Sequence, residues 1–263
     1  MPVTDLALLV AAARGAGDVA MRYFGKNPGI TDKPDGAGPV TEADLAVNDM
    51  LYGMLGDVRP SYGWLSEETE DSATRLATKR QFVIDPIDGT RAFIAGNRDW
   101  AHSLAVVEDG QVLAAAVYLP ARDLMFAAIL GGGATVNDAP ARVSLAALDD
   151  ATVLAAKPNF EGRFWQGGAT PPVNRAFRSS LAYRLCLVAQ GRFDGMLTLR
   201  PSWEWDIAAG ALIASEAGAV VTDQVGMPLR FNNPHPQVPG VLAAGPDLHA
   251  HLAQRLEQSH AKP

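Results

Sequence analysis

Apolar and polar positions alternate in two different rhythms along the chain. The stretch "MPVTDLALLVAAARGAGDVAMRYFG" has apolar residues interrupted by Asp5, Arg14 and Asp18, which predicts an amphipathic helix. Residues 26 to 40, "KNPGITDKPDGAGPV", are rich in Gly, Pro and charge and read as a long surface loop. In "TEADLAVNDMLYGML" the positions Val47, Met50, Leu51, Met54 and Leu55 recur at helical spacing, and Thr41 with Asp44 three residues on gives a capping-box-like start. From 82 to 145 the rhythm shortens to strands. The apolar runs around Asp109-Gly110 are a hairpin signal, and "LMFAAILGGGATVNDAPARV" predicts a second hairpin. Its triple glycine, 131 to 133, lacks the Lys-Ser/Thr and following helix of a P-loop.

The second half starts irregularly, with "ATPPVNR" as a connection, then reads as helix in "SSLAYRLCLVAQGRFDG". A further helix in "WDIAAGALIASEAGAVVTD" opens with an acid and closes at Gly218 before a short strand. Helix first, antiparallel strands next and alternating helix and strand last predict an α+β half over 1–145 and an α/β half over 146–263.

A net charge of −7, from 22 basic and 29 acidic residues, argues against a nucleic-acid polymer as partner, because neutralising phosphates needs a basic face. The single cysteine, Cys186, excludes an intrachain disulfide and sits in the apolar "LCLVA", where it is expected to pack. The N-terminal stretch has neither a basic n-region nor an apolar run of membrane-spanning length. These features predict a cytoplasmic protein without a membrane partner.

Four places carry acids where an element starts or stops: Asp44, the pair Glu67 and Glu68, the pair Asp85 and Asp88 in "FVIDPIDGT", and Asp206. Phe82-Val83-Ile84 reads as a buried strand, and Pro86 ends regular pairing, so the chain is expected to turn at the two aspartates. Taken singly, Asp88 can be the N-cap of a helix starting at Gly89-Thr90 and Asp85 a turn residue. Brought into one pocket, the acids would repel one another unless a cation neutralised them, and an all-oxygen set selects a hard ion such as Mg²⁺. The five histidines are scattered, with His249 and His251 near an end expected to fray.

The segments "GPVTEAD", "LSEE", "DPIDGT" and "WDIAAG" occur in the order and rough spacing of the inositol monophosphatase family, which the chain resembles over essentially its whole length. The resemblance implies an alternating five-layer α-β-α-β-α sandwich, Mg²⁺-dependent phosphomonoester hydrolysis with two or three ions per site, inhibition by Li⁺, and a homodimer. It implies Glu67, Asp85 and the Ile87 carbonyl as ligands of a first metal, and Asp85, Asp88 and Asp206 as ligands of a second. Asp44 and Thr90 then resemble the pair that orients and deprotonates the attacking water. Glu67 joins them in the catalytic set, and Glu68 is a neighbour. Gly89 and Thr90 are expected to begin a helix whose amides face the phosphate.

The alcohol is less sharply marked. Inositol monophosphatases carry a Glu seven residues before the aspartate of the "WD" motif, and here that position is Leu199. "RPSWEWD" and "GTRAFIAGN" resemble the forms found in bisphosphate nucleotidases, which favours 3′-phosphoadenosine 5′-phosphate, with Trp203 and Asp206 at the substrate and Trp203 offered to the adenine. "WDIAAGALIASEAG" is similar to inositol-1-monophosphatases, and "DPIDGTRAFI" also to histidinol-phosphate phosphatases. These and sugar phosphatases remain alternatives, as does a non-catalytic binding protein on the same fold.

Overall fold

The computed structural model describes residues 3–26, 28–36 and 38–257. Helix α1 (Asp5–Ala20) is followed by a short antiparallel pair, β1 (Ile30–Asp32) and β2 (Pro39–Thr41). The stretch expected to be a loop is therefore a small hairpin, made possible by Gly36 and Gly38 at positive φ. Helix α2 (Glu42–Val58) starts as its sequence predicts: Thr41 accepts from the amides of Ala43 and Asp44, and Asp44 accepts from the Thr41 backbone.

Next come β3 (Gly63–Ser66), β4 (Arg80–Asp88), the short helix α3 (Thr90–Ile94), β5 (Ala101–Glu108), β6 (Gln111–Leu119), β7 (Leu124–Ile129), β8 (Ala134–Val136) and β9 (Ala139–Pro140). Among the described residues these strands form a seven-stranded sheet in sequence order, parallel between β3 and β4 and antiparallel beyond. Asp109 and Gly110 both take positive φ between β5 and β6, the conformation that matches strand twist in a two-residue hairpin.

The rest of the chain supplies β10 (Thr152–Leu154), β11 (Asn174–Ala176), α4 (Leu181–Ala189), β12 (Gly195–Thr198), β13 (Ser202–Trp203), α5 (Glu204–Glu216), β14 (Val220–Thr222), β15 (Gln237–Val238), β16 (Val241–Ala244) and α6 (Pro246–Arg255). A five-stranded sheet runs in the order β11-β10-β12-β16-β14, and β13 pairs with β15. His249 and the described part of the C-terminal segment do not fray: His249 lies buried in α6, with Nε2 at 2.9 Å from the Thr222 hydroxyl.

Strand alternation sorts the core into layers. Phe82, Ile84, Leu104 and Val106 pack with Leu9, Leu51 and Leu55 of α1 and α2. Val83, Ala105 and Val107 point the other way, into a cluster with α4, α5, Met196 and Ala243. Leu197 and Leu242 face outward again, onto Leu248 and Leu252 of α6. The order is thus helices, large sheet, helices, small sheet, helix: a five-layer α-β-α-β-α sandwich. Both faces of each sheet are covered, which is why central strands such as "FVI" and "VLAA" read as unbroken apolar runs. The two sheets divide between Pro140 and Thr152, yet they share the middle cluster, where Cys186 is buried.

Candidate active site

Because β3 and β4 are parallel neighbours in register at Ser66 and Ile84, the residues just beyond, Glu67 and Asp85, emerge side by side at one edge. The expected turn at the aspartates is instead a β-bulge. Asp85 faces Ser103 and Asp88 faces Ala101, so β4 spends one more residue than β5 there. That extra residue matters, since positions three apart would otherwise point to opposite faces of the sheet. Pro86, with no N–H to pair, sits inside the bulge. Its carbonyl meets Nδ1 of His102, a wholly buried side chain that the sequence reading missed. Burial holds the His102 ring neutral, its pKa lowered to about 4, so Nδ1–H donates to Pro86.

The first turn of α5 brings Asp206 to the same edge, and Ser103 Oγ donates to the Trp205 carbonyl at 2.8 Å to anchor it. Glu67, Asp85 and Asp206 each place one carboxylate oxygen within 4.8 Å of the others. Asp85 accepts from the Ile87 amide at 2.9 Å. Burial, then the charges of Glu67, Asp88, Asp206 and Asp44, push its carboxyl well above the usual range. Burial, then Asp88 and Glu67, do the same to Asp206. Such a set of hard oxygen donors, costly to ionise alone, fits a divalent cation.

Asp88 lines the same cavity but is held differently. It is not the cap of α3, whose N-cap is Gly89 at φ 98°. Its carboxylate accepts instead from the N-terminus of α4: Ser180 Oγ at 2.6 Å, Ala182 N at 2.7 Å and Leu181 N at 3.3 Å. Burial raises its pKa and these bonds oppose the rise, leaving it at about 6. The sequence signal for this contact was Ser180 ahead of "LAYRLCLVA", a readable N-cap with an unreadable distant partner.

Asp44 is 1% exposed and lies behind Thr90. Its Oδ2 accepts from the Thr41 amide and hydroxyl at 2.8 and 2.6 Å, and its Oδ1 faces the Thr90 hydroxyl at 3.4 Å. Thr90 Oγ1 is also 3.2 Å from the Ile87 carbonyl. Burial pushes Asp44 up to about 6, against its bonds to Thr41. Gly89 cannot be replaced freely, because a Cβ there would sit 3.1 Å from the Asp99 carbonyl oxygen at a φ that side chains avoid. Lys33, from the hairpin, donates to Glu67 at 2.7 Å and Glu68 at 2.6 Å. Burial and the Glu67 charge raise Glu68 to about 7.

The cavity holding Glu67, Asp85, Asp88 and Asp206 measures about 350 Å³ and is also lined by Arg91, Phe177 and Arg200, none of them expected from the sequence. Trp203 is not among its lining residues. Its ring is stacked on Trp205 at 4.7 Å and 8°, so one face is already covered. The triple glycine has an internal ligand: Gly131 N and Gly133 N donate to Glu216 at 2.7 and 2.8 Å.

The raised acids set a pH dependence. Between about 4, the unfolded value for Asp, and the folded values of about 6 for Asp44 and Asp88 and about 7 for Glu68, these carboxyls, with the raised Asp85 and Asp206, hold more protons in the metal-free fold than in the unfolded chain. They outnumber His102 and His249, whose lowered pKa values act in the opposite sense. The stability of the metal-free protein is therefore expected to fall as pH rises through that window. Melting of EDTA-treated protein from pH 5 to 8 should show a declining Tm that excess Mg²⁺ restores most strongly at pH 8. A Tm that climbs over this range without metal would contradict the crowded-acid reading.

The model of the inositol monophosphatase family matches residues 2–261. The chain belongs to the inositol monophosphatase family. It is 34% identical over 236 residues to an inositol-1-monophosphatase of Mesorhizobium japonicum, covering 84% of this chain and 86% of that one. It is 36% identical over 239 residues to a histidinol-phosphatase of Mycobacterium tuberculosis, covering 85% and 88%. The solved extragenic suppressor protein suhB of Bartonella henselae superposes with a TM-score of 0.81 at 28% identity, over 96% of this chain and 98% of that one. This membership makes the protein a hydrolase of phosphomonoesters on a metal-dependent scaffold. No helix among the described residues is long and apolar enough to cross a membrane.

Proposed function

We propose that the protein is a Mg²⁺-dependent, Li⁺-sensitive phosphomonoesterase whose substrate bears a second anionic group, as 3′-phosphoadenosine 5′-phosphate does. The observation that carries this reading is the pair Arg91 and Arg200 lining the same cavity as the acid cluster. Leu199, at the position where a polyol-binding carboxylate would stand, is instead buried against the α6 layer. Phe177, 47% exposed at the cavity with the Arg184 guanidinium 4.4 Å from its ring centroid, is better placed than Trp203 to receive a base.

Glu67, Asp85 and the Ile87 carbonyl would hold one ion, and Asp85, Asp88 and Asp206 a second. When bound, the ions supply charge neutralisation, acidify a water and stabilise the departing alkoxide. The Thr90 hydroxyl, donating to Asp44, is set to accept from an attacking water and fix its direction. Asp44 takes up the proton. The amides of Ala92 and Phe93 turn back onto the Gly89 carbonyl at 2.8 and 3.1 Å, so phosphate contacts fall to Gly89 and Thr90 before them. The reading places the protein in the cytoplasm as a homodimer, supported by the single buried Cys186 and by Leu130, half exposed beside a groove with Leu212, Val221 and Leu229.

Histidinol phosphate is the second reading, favoured by the mycobacterial relative. Its ammonium group would meet two arginines unfavourably. Purified protein with saturating Mg²⁺ is expected to turn over 3′-phosphoadenosine 5′-phosphate at least as well as inositol 1-phosphate or histidinol phosphate. A bond between a charged pair is worth about 1.5–3 kcal/mol, so Arg91→Gln should cut kcat/KM for the bisphosphate by roughly ten- to a hundredfold. The other esters should change by less than about threefold. A kcat/KM for inositol 1-phosphate ten times that of the bisphosphate would return the protein to the inositol monophosphatases proper.

A further inference from the structure

Two residues before Asp206, Glu204 is wholly buried, and its carboxylate accepts three hydrogen bonds from one segment: Asn232 N at 2.6 Å, Asn233 N at 2.9 Å and Asn233 Nδ2 at 2.7 Å. The same two asparagines are gripped from the other side by Arg75, 2% exposed, which donates to Asn232 Oδ1 at 2.6 Å and to the Asn233 carbonyl at 2.9 Å. Arg75 completes its bonding on Asp71, at 2.6 and 2.9 Å. Asp71 lies four residues beyond Glu67. A continuous chain of polar contacts thus links the segment after Glu67, on the large sheet, to the first turn of α5, which carries Asp206.

Burying an anion and a cation costs several kcal/mol each unless both are fully hydrogen-bonded. Here they are satisfied, yet they meet through the backbone and side chains of the intervening Asn232 and Asn233. Asn232 adopts φ 61°, a left-handed conformation that asparagine tolerates better than most side chains. Apolar residues would fill the same space without the desolvation cost. What the polar arrangement adds is a fixed distance between two elements that belong to different layers.

We propose that Glu204 and Arg75, acting through Asn232 and Asn233, are positioning residues that set the spacing of Asp206 from Glu67 and thereby the affinity of the site for its divalent cation. None of the four touches reacting atoms. The proposal rests on the metal reading above, and the test separates the two. Metal-stripped wild type, Glu204→Gln, Arg75→Met and Asn233→Ala are titrated with Mg²⁺ by calorimetry, and Mg²⁺ half-saturation of phosphate release is measured alongside. Support partners of metal ligands typically contribute ten- to a hundredfold in affinity. Each variant is therefore expected to bind Mg²⁺ about tenfold more weakly, with kcat at saturating Mg²⁺ within about threefold of wild type. The Glu204→Gln/Arg75→Met double variant should lose little more than either single one, because one chain is cut twice. Asn233→Ala leaves both charges in place and serves if a charge variant does not fold. Variants that melt earlier but bind Mg²⁺ like wild type overturn the positioning role. A wild type that binds no Mg²⁺ overturns the metal reading itself, and the positioning with it.

Discussion

Asp85→Asn is expected to lower kcat/KM by about 10³ or more in saturating Mg²⁺, while the metal-free variant melts no lower than metal-free wild type at pH 8. Asp85 is the ligand proposed to be shared by both ions, and metal charge stabilisation is worth several kcal/mol in the transition state. At 1.36 kcal/mol per tenfold, about 4 kcal/mol gives that factor. Without metal the balance reverses, since the charged carboxylate is buried beside Glu67, Asp88, Asp206 and Asp44. Its bond from the Ile87 amide survives in asparagine, whose Oδ1 still accepts. Asp88→Asn should gain less: three donors at the start of α4 already offset part of the cost of burying its charge, so its metal-free Tm should rise less than that of Asp85→Asn or stay unchanged. Thermal melts of both apoproteins decide the point. An Asp85→Asn apoprotein less stable than Asp88→Asn would refute the difference in roles.

Asp44→Asn should reduce kcat by roughly 10²–10⁴, the usual range for loss of a general base, with calorimetric Mg²⁺ binding kept within about threefold of wild type. The geometry makes the substitution specific. One Asp44 oxygen is occupied by Thr41 and the other faces Thr90. Asparagine has a single acceptor oxygen, and with that oxygen on Thr41 its amide turns toward the Thr90 hydroxyl as a competing donor. Thr90→Ala should show the same pattern more weakly, lowering kcat with little effect on metal binding. If either variant lost Mg²⁺ binding in proportion to kcat, the water-orienting role would pass to the metal ligands.

Local signals in the sequence were sufficient where the partners were local. The Thr41–Asp44 capping box, the Asp109-Gly110 hairpin, the burial of Cys186 and the end of α5 at Gly218 all depend on residues a few positions apart. The acid motifs were legible for a related reason, because each short segment keeps its ligand type at an element end. Contacts formed across the fold were not. Asp88 finds its donors more than ninety residues away, on α4. The bulge that turns Asp85 and Asp88 onto one face depends on pairing with β5 and on the buried His102. Nothing local in the sequence marks Arg91, Arg200 or Glu204, whose setting depends on the cavity and on the distant Asn232-Asn233 segment. Trp203 was expected to serve a ligand, but stacking on Trp205 already occupies one face of its ring.

The central claim, that the acids at the end of β4 hold cations without which no ester is cleaved, is tested most directly by phosphate release from a panel of phosphate esters. Metal-stripped protein is assayed first in excess EDTA and then after Mg²⁺ is added beyond the chelator. The account predicts no release above buffer in EDTA and recovery of turnover on Mg²⁺ addition, reversed by millimolar Li⁺. Undiminished turnover in EDTA, or a folded protein silent toward every ester in Mg²⁺, would contradict it.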